Sequence, residues 1–367
     1  MDNEIAVVGA GVVGAATALA LTRRGASVAL LEAEPEPGLQ ASGTNSGILH
    51  SGFDSKPGEL ETELILRAAA LRDPVLDALG LPVLRCGAVM RPVMDELERN
   101  ARANGVEVSV RDGALQVPGE AVTDPVAFTL ALAAAAVEHG AVLRAPFRVN
   151  AVRREGDGLV VEEAGGGRLH CGVAVNCSGL HADEIARLAG DDSFSIYPRK
   201  GEFLVFDPRG EALQRILLPQ PTGRTKGVLV FPTLDGMVIA GPTAVDEEDK
   251  SDWSVRPEAR AEIVPKAAAM WPPLEGAEPV ASYAGLRPAG RGVNYLIERS
   301  RVCPELVNVA AIRSTGLTAS LAIAERVAGI VERMGFRLGS EEALRPGAPV
   351  AQRGPWWRRS AEHWGAA

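Results

Sequence analysis

A glycine triplet near the start of the chain constrains the fold more than any other feature. Ile5 to Val8 is a short apolar run, Gly9-Ala10-Gly11-Val12-Val13-Gly14 fits G-x-G-x-x-G, and Ala15 to Arg24 has the alanine-rich composition of a helix. This order of strand, turn and helix is what a dinucleotide cradle requires. The first glycine permits the tight turn, the second lets a pyrophosphate approach the backbone, and the third lets the helix pack on the strand. The phosphates then meet the free N–H groups of the helix N-terminus. A second strand from Ser27 to Leu31 ends at Glu32, whose carboxylate can accept hydrogen bonds from ribose hydroxyls. Glycines alone can simply tighten a turn. With strand, helix and Glu32 in register, Gly9, Gly11, Val13, Gly14 and Glu32 are expected to bind a dinucleotide.

The following segment narrows the cofactor. Nicotinamide enzymes usually continue through ordinary βα units, whereas residues 39–53 here are rich in glycine, serine and asparagine. "ASGTNSGILHSG" offers few bulky side chains and many backbone groups, which suits a wall laid against a flat ring system. A flavin fits that wall better than a nicotinamide.

Composition limits the remaining classes. The 367 residues exceed one ordinary core, so two domains or an interleaved pair are expected. No apolar run reaches the roughly 18 residues that span a bilayer, and the first strand begins almost at Met1, so no signal peptide is expected. The formal charge of -9, from 38 basic and 47 acidic residues, is spread without long blocks, which argues against nucleic-acid binding. Four cysteines without a CxxC or a Cys/His cluster imply reduced thiols, no metal site and a cytoplasmic location.

The blocks now fall into a recognisable order. The cradle, "SGTNSGILHSG", "AVNCSGLHADEIA" at 174–186, "YPRKGEFLVFD" at 197–207, "SYAGLRPAG" at 282–290 and "IRSTGLTASLAIAERV" at 312–327 resemble those of the D-amino-acid-oxidase-type FAD oxidoreductase superfamily. Within it the chain is most similar to the branch of L-2-hydroxyglutarate dehydrogenase/oxidase and FAD-dependent glycerol-3-phosphate dehydrogenase. The resemblance covers residues 3 to about 335 and implies an α/β fold. A Rossmann-type FAD-binding domain (1–80, 124–193, 300–345) interleaves with an α+β substrate domain (81–123, 194–299) on a mixed, largely antiparallel sheet. Residues 346–367 form a tail whose tryptophans pack on the body or on another subunit, or else touch a membrane.

The same resemblance assigns residues. Ser42, Thr44, Asn45, Ser46 and Gly47 form the flavin wall, Val149 borders the adenine, and Ser178 and Gly179 follow a strand that ends near the cofactor. Gly316, Leu317 and Thr318 open a helix near the flavin's pyrimidine end, where backbone N–H groups can stabilise negative charge. No cysteine stands where a thioether link is expected, so the FAD is expected to be non-covalent.

His50 is the histidine embedded in the glycine-rich segment, and oxidising an alcohol requires a group to take the hydroxyl proton. Imidazole suits that task. The resemblance places Arg287 where this superfamily often carries a basic residue facing the flavin, so it is expected as the anion clamp, since an arginine fork can hold a carboxylate or phosphate in two parallel bonds; a surface salt bridge is the other reading. Ser51, Lys200, Tyr283 and Thr315 are further substrate-contact candidates. Lys200 can equally support the flavin or its loop, Tyr283 can equally pack, and Arg313 is a weaker candidate.

Phe53-Asp54-Ser55 stands where the hydroxyglutarate branch typically carries aromatic residues, and Ser314-Thr315-Gly316 replaces its Ser-Pro-Gly. The expected activity is oxidation of a small anionic 2-hydroxy acid or polyol phosphate. An amino-acid or secondary-amine oxidase and a non-enzymatic FAD-binding redox module are the rivals. Oxygen, a quinone or a protein remain equal as acceptors, and the oligomeric state is open.

Overall fold

The computed structural model describes residues 4–221, 226–348 and 354–364. Its first layer is a six-stranded sheet in the order Leu296–Arg299, Leu306–Ala310, Val173–Asn176, Ile5–Val8, Val28–Leu31, Val142–Arg144. All neighbours pair parallel except the edge strand Leu296–Arg299. A parallel sheet is covered on both faces, so its strands read as unbroken apolar runs rather than alternating ones. IAVV and VALL do so, and every residue of both is buried.

One face carries the helices Val12–Thr22, Pro125–Glu138 and Gly316–Arg333, which share one apolar core. Gly14 makes that approach feasible, because a Cβ there would lie 1.8 Å from the Gly9 carbonyl oxygen. Asp124 caps the second helix, accepting the N–H groups of Val126 and Ala127 at 2.9 and 2.8 Å. The other face carries the antiparallel sheet Val149–Glu155, Gly158–Glu163, Arg168–Cys171 and the helix Ala182–Leu188.

A nine-stranded mixed sheet forms the second layer. Its spine is the antiparallel pair Ile196–Phe206 and Ala281–Gly290, in which Arg199 faces Arg287, Gly201 faces Gly285 and Phe203 faces Tyr283. Ile216–Leu218 pairs parallel with Ala88–Met90, and the other neighbours run antiparallel. This matches the α/β class with a mixed, largely antiparallel second sheet.

A small fourth sheet joins two distant segments. Ile48–Leu49 and Val83–Leu84 flank Ala121–Thr123, with Leu49 opposite Ala121. That antiparallel register puts the next residue pair, His50 and Glu120, side by side at the strand end.

The tail helix Trp356–Trp364 packs on the body. Trp356 and Trp357 are buried, Ser360 Oγ donates to Gly43 O at 2.7 Å, and Trp364 Nε1 donates to Leu39 O at 3.1 Å. Trp364 also stacks on Trp253 with ring centroids 4.3 Å apart. The helix thereby grips the 39–43 wall segment. Residues 349–353 and 365–367 of the expected tail lie outside the described residues. Among the described residues no helix is long and apolar enough to cross a membrane.

Candidate active site

The first cleft, of about 430 Å³, opens where the strand Ile5–Val8 turns into the first helix. Gly9 turns the chain at φ +98, and a Cβ there would lie 2.6 Å from Cys177 O, so only glycine fits. The helix begins without a cap of its own. Ser42 Oγ supplies one from the wall segment, accepting the Val12 N–H at 2.9 Å. Glu32 sits on the cleft wall and accepts the N–H groups of Ala10 at 2.8 Å and Glu34 at 3.0 Å. Burial raises the pKa of its carboxyl group, and these two donors offset only part of that rise.

Gly9, Gly11, Val13, Glu32, Ser42, Asn45, Val149, Ser178, Gly179, Gly316 and Leu317 all line this cleft. An N-terminal helix end with open backbone at Gly11, a carboxylate at the end of the second strand and a glycine-rich wall fit a dinucleotide. These are the residues that would hold FAD.

Five expected cofactor contacts lie elsewhere. Gly14 packs helix on turn and does not reach the cleft. Gly47, at φ +76, is held under Thr123, whose carbonyl oxygen would sit 2.2 Å from an added Cβ. Thr44 and Ser46 line the neighbouring cavity instead. Thr318 Oγ1 accepts the His50 N–H at 3.0 Å, so it anchors the histidine to the last helix of the first layer.

The neighbouring cavity, of about 320 Å³, shares Ala41, Asn45, Arg287, Arg313 and Ser314 with the cleft. A molecule in one therefore abuts a molecule in the other. Four cations (Arg199, Lys226, Arg287, Arg313) and two carboxylates (Asp54, Glu61) line it around His50. Three of the cations are paired: Arg199 with Asp246 at 2.6 Å, Lys226 with Asp54 at 2.6 Å, and Arg313 with Glu61 at 3.2 Å. Burial opposes ionisation of both Asp54 and Lys226, but their mutual charge and hydrogen bond, with the charge of His50 acting on Asp54 and those of Glu120 and Glu61 on Lys226, together outweigh it, holding the carboxyl group low and the amine high.

Arg287 differs from the other three. Its guanidinium donates to the carbonyls of Arg199 (3.0 Å), Lys200 (2.9 Å) and Thr243 (2.7 Å). Among the described residues no carboxylate lies within ion-pair distance of it. Burial, reinforced by the nearby charge of Arg199, lowers its pKa to about 10, so it stays cationic at neutral pH. Neutral carbonyls orient the group without cancelling its charge.

His50 lines the cavity with a side chain 12% exposed, and its Nδ1 lies 3.0 Å from Glu120 Oε2. Among the described residues nothing hydrogen-bonds its Nε2. Glu120 is fully buried, and its other oxygen accepts the Ser51 N–H at 2.6 Å and the Ser51 hydroxyl at 2.8 Å. Burial would raise its carboxyl pKa, but the charge of His50 and the bonds from His50 and Ser51 outweigh it and hold the group below its ordinary range.

Four expected substrate contacts do not line the cavity. Ser51 is buried and spent on Glu120. Thr315 is buried too, donating to Glu61 at 2.6 Å and bonded to Tyr295 at 2.8 Å. Lys200 is out of phase: Arg199, Gly201 and Phe203 face the cavity, so the intervening lysine points to the other side of the strand and meets Asp252 at 2.6 Å. Tyr283 has the right phase but lies behind the cavity wall, stacked on Phe203 with centroids 4.9 Å apart.

Sequence reasoning also missed Glu120, Asp54, Glu61, Lys226 and Arg199. Only Glu120 left a trace, a carboxylate in the otherwise apolar run from Gly119 to Val122.

Comparison with known proteins is consistent with this geometry. The family model described as FAD dependent oxidoreductase (DAO) matches residues 4–330. A glycerol 3-phosphate dehydrogenase from Caloramator mitchellensis is 28% identical, over 94% of this chain and 76% of the relative. A mitochondrial L-2-hydroxyglutarate dehydrogenase from Mus musculus is 30% identical, over 65% of this chain and 60% of the relative. The solved L-alpha-glycerophosphate oxidase from Mycoplasma pneumoniae superposes with TM-score 0.85 and 23% identity, covering 95% of this chain and 99% of that one.

Proposed function

We propose, from the premise that this chain belongs to the DAO family of FAD-dependent oxidoreductases, that it oxidises the secondary alcohol of a small anionic 2-hydroxy acid or polyol phosphate. Glycerol 3-phosphate and L-2-hydroxyglutarate, named in its relatives, represent the two substrate types. Arg287 carries this reading: it is a half-buried cation without a carboxylate partner among the described residues, in a cavity that holds His50 and adjoins the cofactor cleft.

In the proposed reaction Arg287 holds the substrate anion through charge-assisted hydrogen bonds. Lys226 and Arg313 line the same cavity but are paired with Asp54 and Glu61, so Arg287 supplies the uncancelled charge. His50 accepts the hydroxyl proton at Nε2 as the carbinol hydrogen leaves with its electron pair, giving the ketone. FAD, when bound, supplies the acceptor for that hydride.

On this reading residues 1–80, 124–193 and 300–345 carry the cofactor, and 81–123 and 194–299 carry the substrate. The edge strand Leu296–Arg299 pairs into the first sheet, which draws that last boundary back by four residues. The four described cysteines are free thiols, which supports the cytoplasm as the working compartment.

The test is anaerobic bleaching of the flavin absorbance. Glycerol 3-phosphate or L-2-hydroxyglutarate should bleach it at micromolar to millimolar concentrations. Bleaching by amino acids or secondary amines alone would replace the proposal with amine oxidation. No bleaching by either set would leave a redox module.

A further inference from the structure

We propose that Glu120 is the positioning residue for His50: its carboxylate fixes the imidazole tautomer that carries hydrogen on Nδ1 and turns the Nε2 lone pair to the substrate cavity. The inference rests on the reading of His50 as the base and extends it to a residue that does not line the cavity.

The geometry leaves the carboxylate little choice of role. One oxygen is occupied by Ser51, whose backbone N–H can only donate and whose hydroxyl also points to it. The second oxygen lies 3.0 Å from His50 Nδ1. Both oxygens of an ionised carboxylate can only accept, so Nδ1 must carry the hydrogen. The neutral ring then has its lone pair on Nε2. When Nε2 takes up a proton, the ring becomes a cation whose charge faces Glu120, which favours the transfer.

The backbone supports the same arrangement from both sides. The His50 N–H donates to Thr318 at 3.0 Å, and Arg72 Nη1 donates to the His50 carbonyl at 3.3 Å. These bonds fix the His50 backbone, and the bond from Nδ1 to Glu120 is what orients the ring. Other charged or titratable groups around the pair are Asp54 and Lys226 on the cavity side, Arg72 on the helix Leu60–Ala78, and Cys86. Asp54 and Lys226 neutralise each other, so Glu120 is the charge in direct contact with the ring.

This arrangement makes Glu120→Gln informative. The Ser51 N–H requires the amide carbonyl on its side, so the amide NH₂ must face His50 Nδ1. It would then donate where the carboxylate accepted, hold hydrogen on Nε2, and leave no lone pair towards the substrate. The shape of the site is preserved while the tautomer is reversed.

The experiment is ¹⁵N NMR of histidine-labelled, FAD-loaded protein above the imidazole titration, with His50→Ala used to assign the resonance. Wild type should show His50 protonated at Nδ1, and Glu120→Gln should show it protonated at Nε2. Anaerobic flavin reduction, by whichever of glycerol 3-phosphate or L-2-hydroxyglutarate bleaches it, should slow by roughly 10²-fold or more in Glu120→Gln. The double variant with His50→Ala should be no slower than His50→Ala alone. Protonation at Nε2 in wild type, an unchanged tautomer in Glu120→Gln, or losses that multiply in the double variant would each overturn the proposal. If Glu120→Gln does not fold, the wild-type tautomer alone decides. A His50→Ala enzyme of normal rate would sink the base assignment, while the NMR result would still report on Glu120.

Discussion

The cofactor cleft and the substrate cavity lie side by side and share five lining residues, yet they are made of different material. The cleft is largely backbone: glycine turns, a helix end and a wall of small residues, with one carboxylate at the end of a strand. The cavity is built from side-chain charges delivered by separate segments, among them His50, Lys226, Arg287 and Arg313. A backbone site is sensitive to added atoms where main chain packs on main chain, as at Gly9, where a Cβ would lie 2.6 Å from Cys177 O. A side-chain site tolerates loss of an atom but pays in rate or affinity according to what that atom touched.

The sharpest test of this contrast is at Gly11. A valine there brings its Cβ within 3.0 Å of Ser42 Oγ and its methyl groups into the phosphate path at the helix end. The purified variant should lose its yellow colour on desalting while wild type keeps it. Retention of FAD with normal absorbance would show that the cleft is less backbone-limited than the geometry indicates.

At His50 the expected loss falls on rate alone. His50→Ala should keep FAD and slow anaerobic flavin reduction by roughly 10²–10⁴-fold, the usual worth of a positioned base. A His50→Ala enzyme whose flavin is also lost would mean that the two sites are not separable at this residue.

Arg287→Ala should act on affinity. Removing one partner of a desolvated charge pair costs about 2–5 kcal/mol, which should raise KM strongly with FAD content unchanged. A normal KM in steady-state kinetics would move the clamp to Lys226 or Arg313.

The smallest effect is expected at Lys200, on the far face of the same strand. Lys200→Met should leave KM and kcat close to wild type and alter only stability. The Lys200 hydrogen bond lowers the Asp252 carboxyl pKa to about 2. A depressed carboxyl group stabilises the fold fully above its unfolded value of about 3.9 and loses that contribution as the pH falls towards the folded value. Asp252 is 40% exposed, so this part is about 1 kcal/mol or less. The Tm gap between wild type and variant should narrow between pH 5 and pH 2. A pH-independent gap would show that packing of the alkyl stem, and not the ion pair, accounts for the difference.

The contrast also explains what could be read in advance. Gly9, Gly11 and Glu32 were legible because the turn, the helix start and the strand end are fixed by neighbours within about one βαβ unit. Lys200 was misplaced because Ile196–Phe206 is buried on both faces, so its sequence has no period of two to reveal which residues face the cavity. Tyr283 shares its phase with Gly285 and Arg287, but depth along the strand, set by stacking on Phe203, removes it from the site. Glu120 lies 70 residues from His50 and becomes its neighbour only through the pairing of Leu49 with Ala121.

The sequence by itself determined the fold class and the glycine turn that ends with Glu32, because these follow from local backbone requirements written in contiguous stretches. Resemblance to the family singled out His50 and Arg287, on which the chemistry is proposed to turn. Only the tertiary structure decided which charges are cancelled and which are not. Lys226 is matched by Asp54, Arg313 by Glu61 and Lys200 by Asp252, whereas Arg287 meets only carbonyl oxygens among the described residues. Electrostatic interactions depend on distance and burial between residues far apart in the chain, and neither quantity is expressed until the sheets have paired.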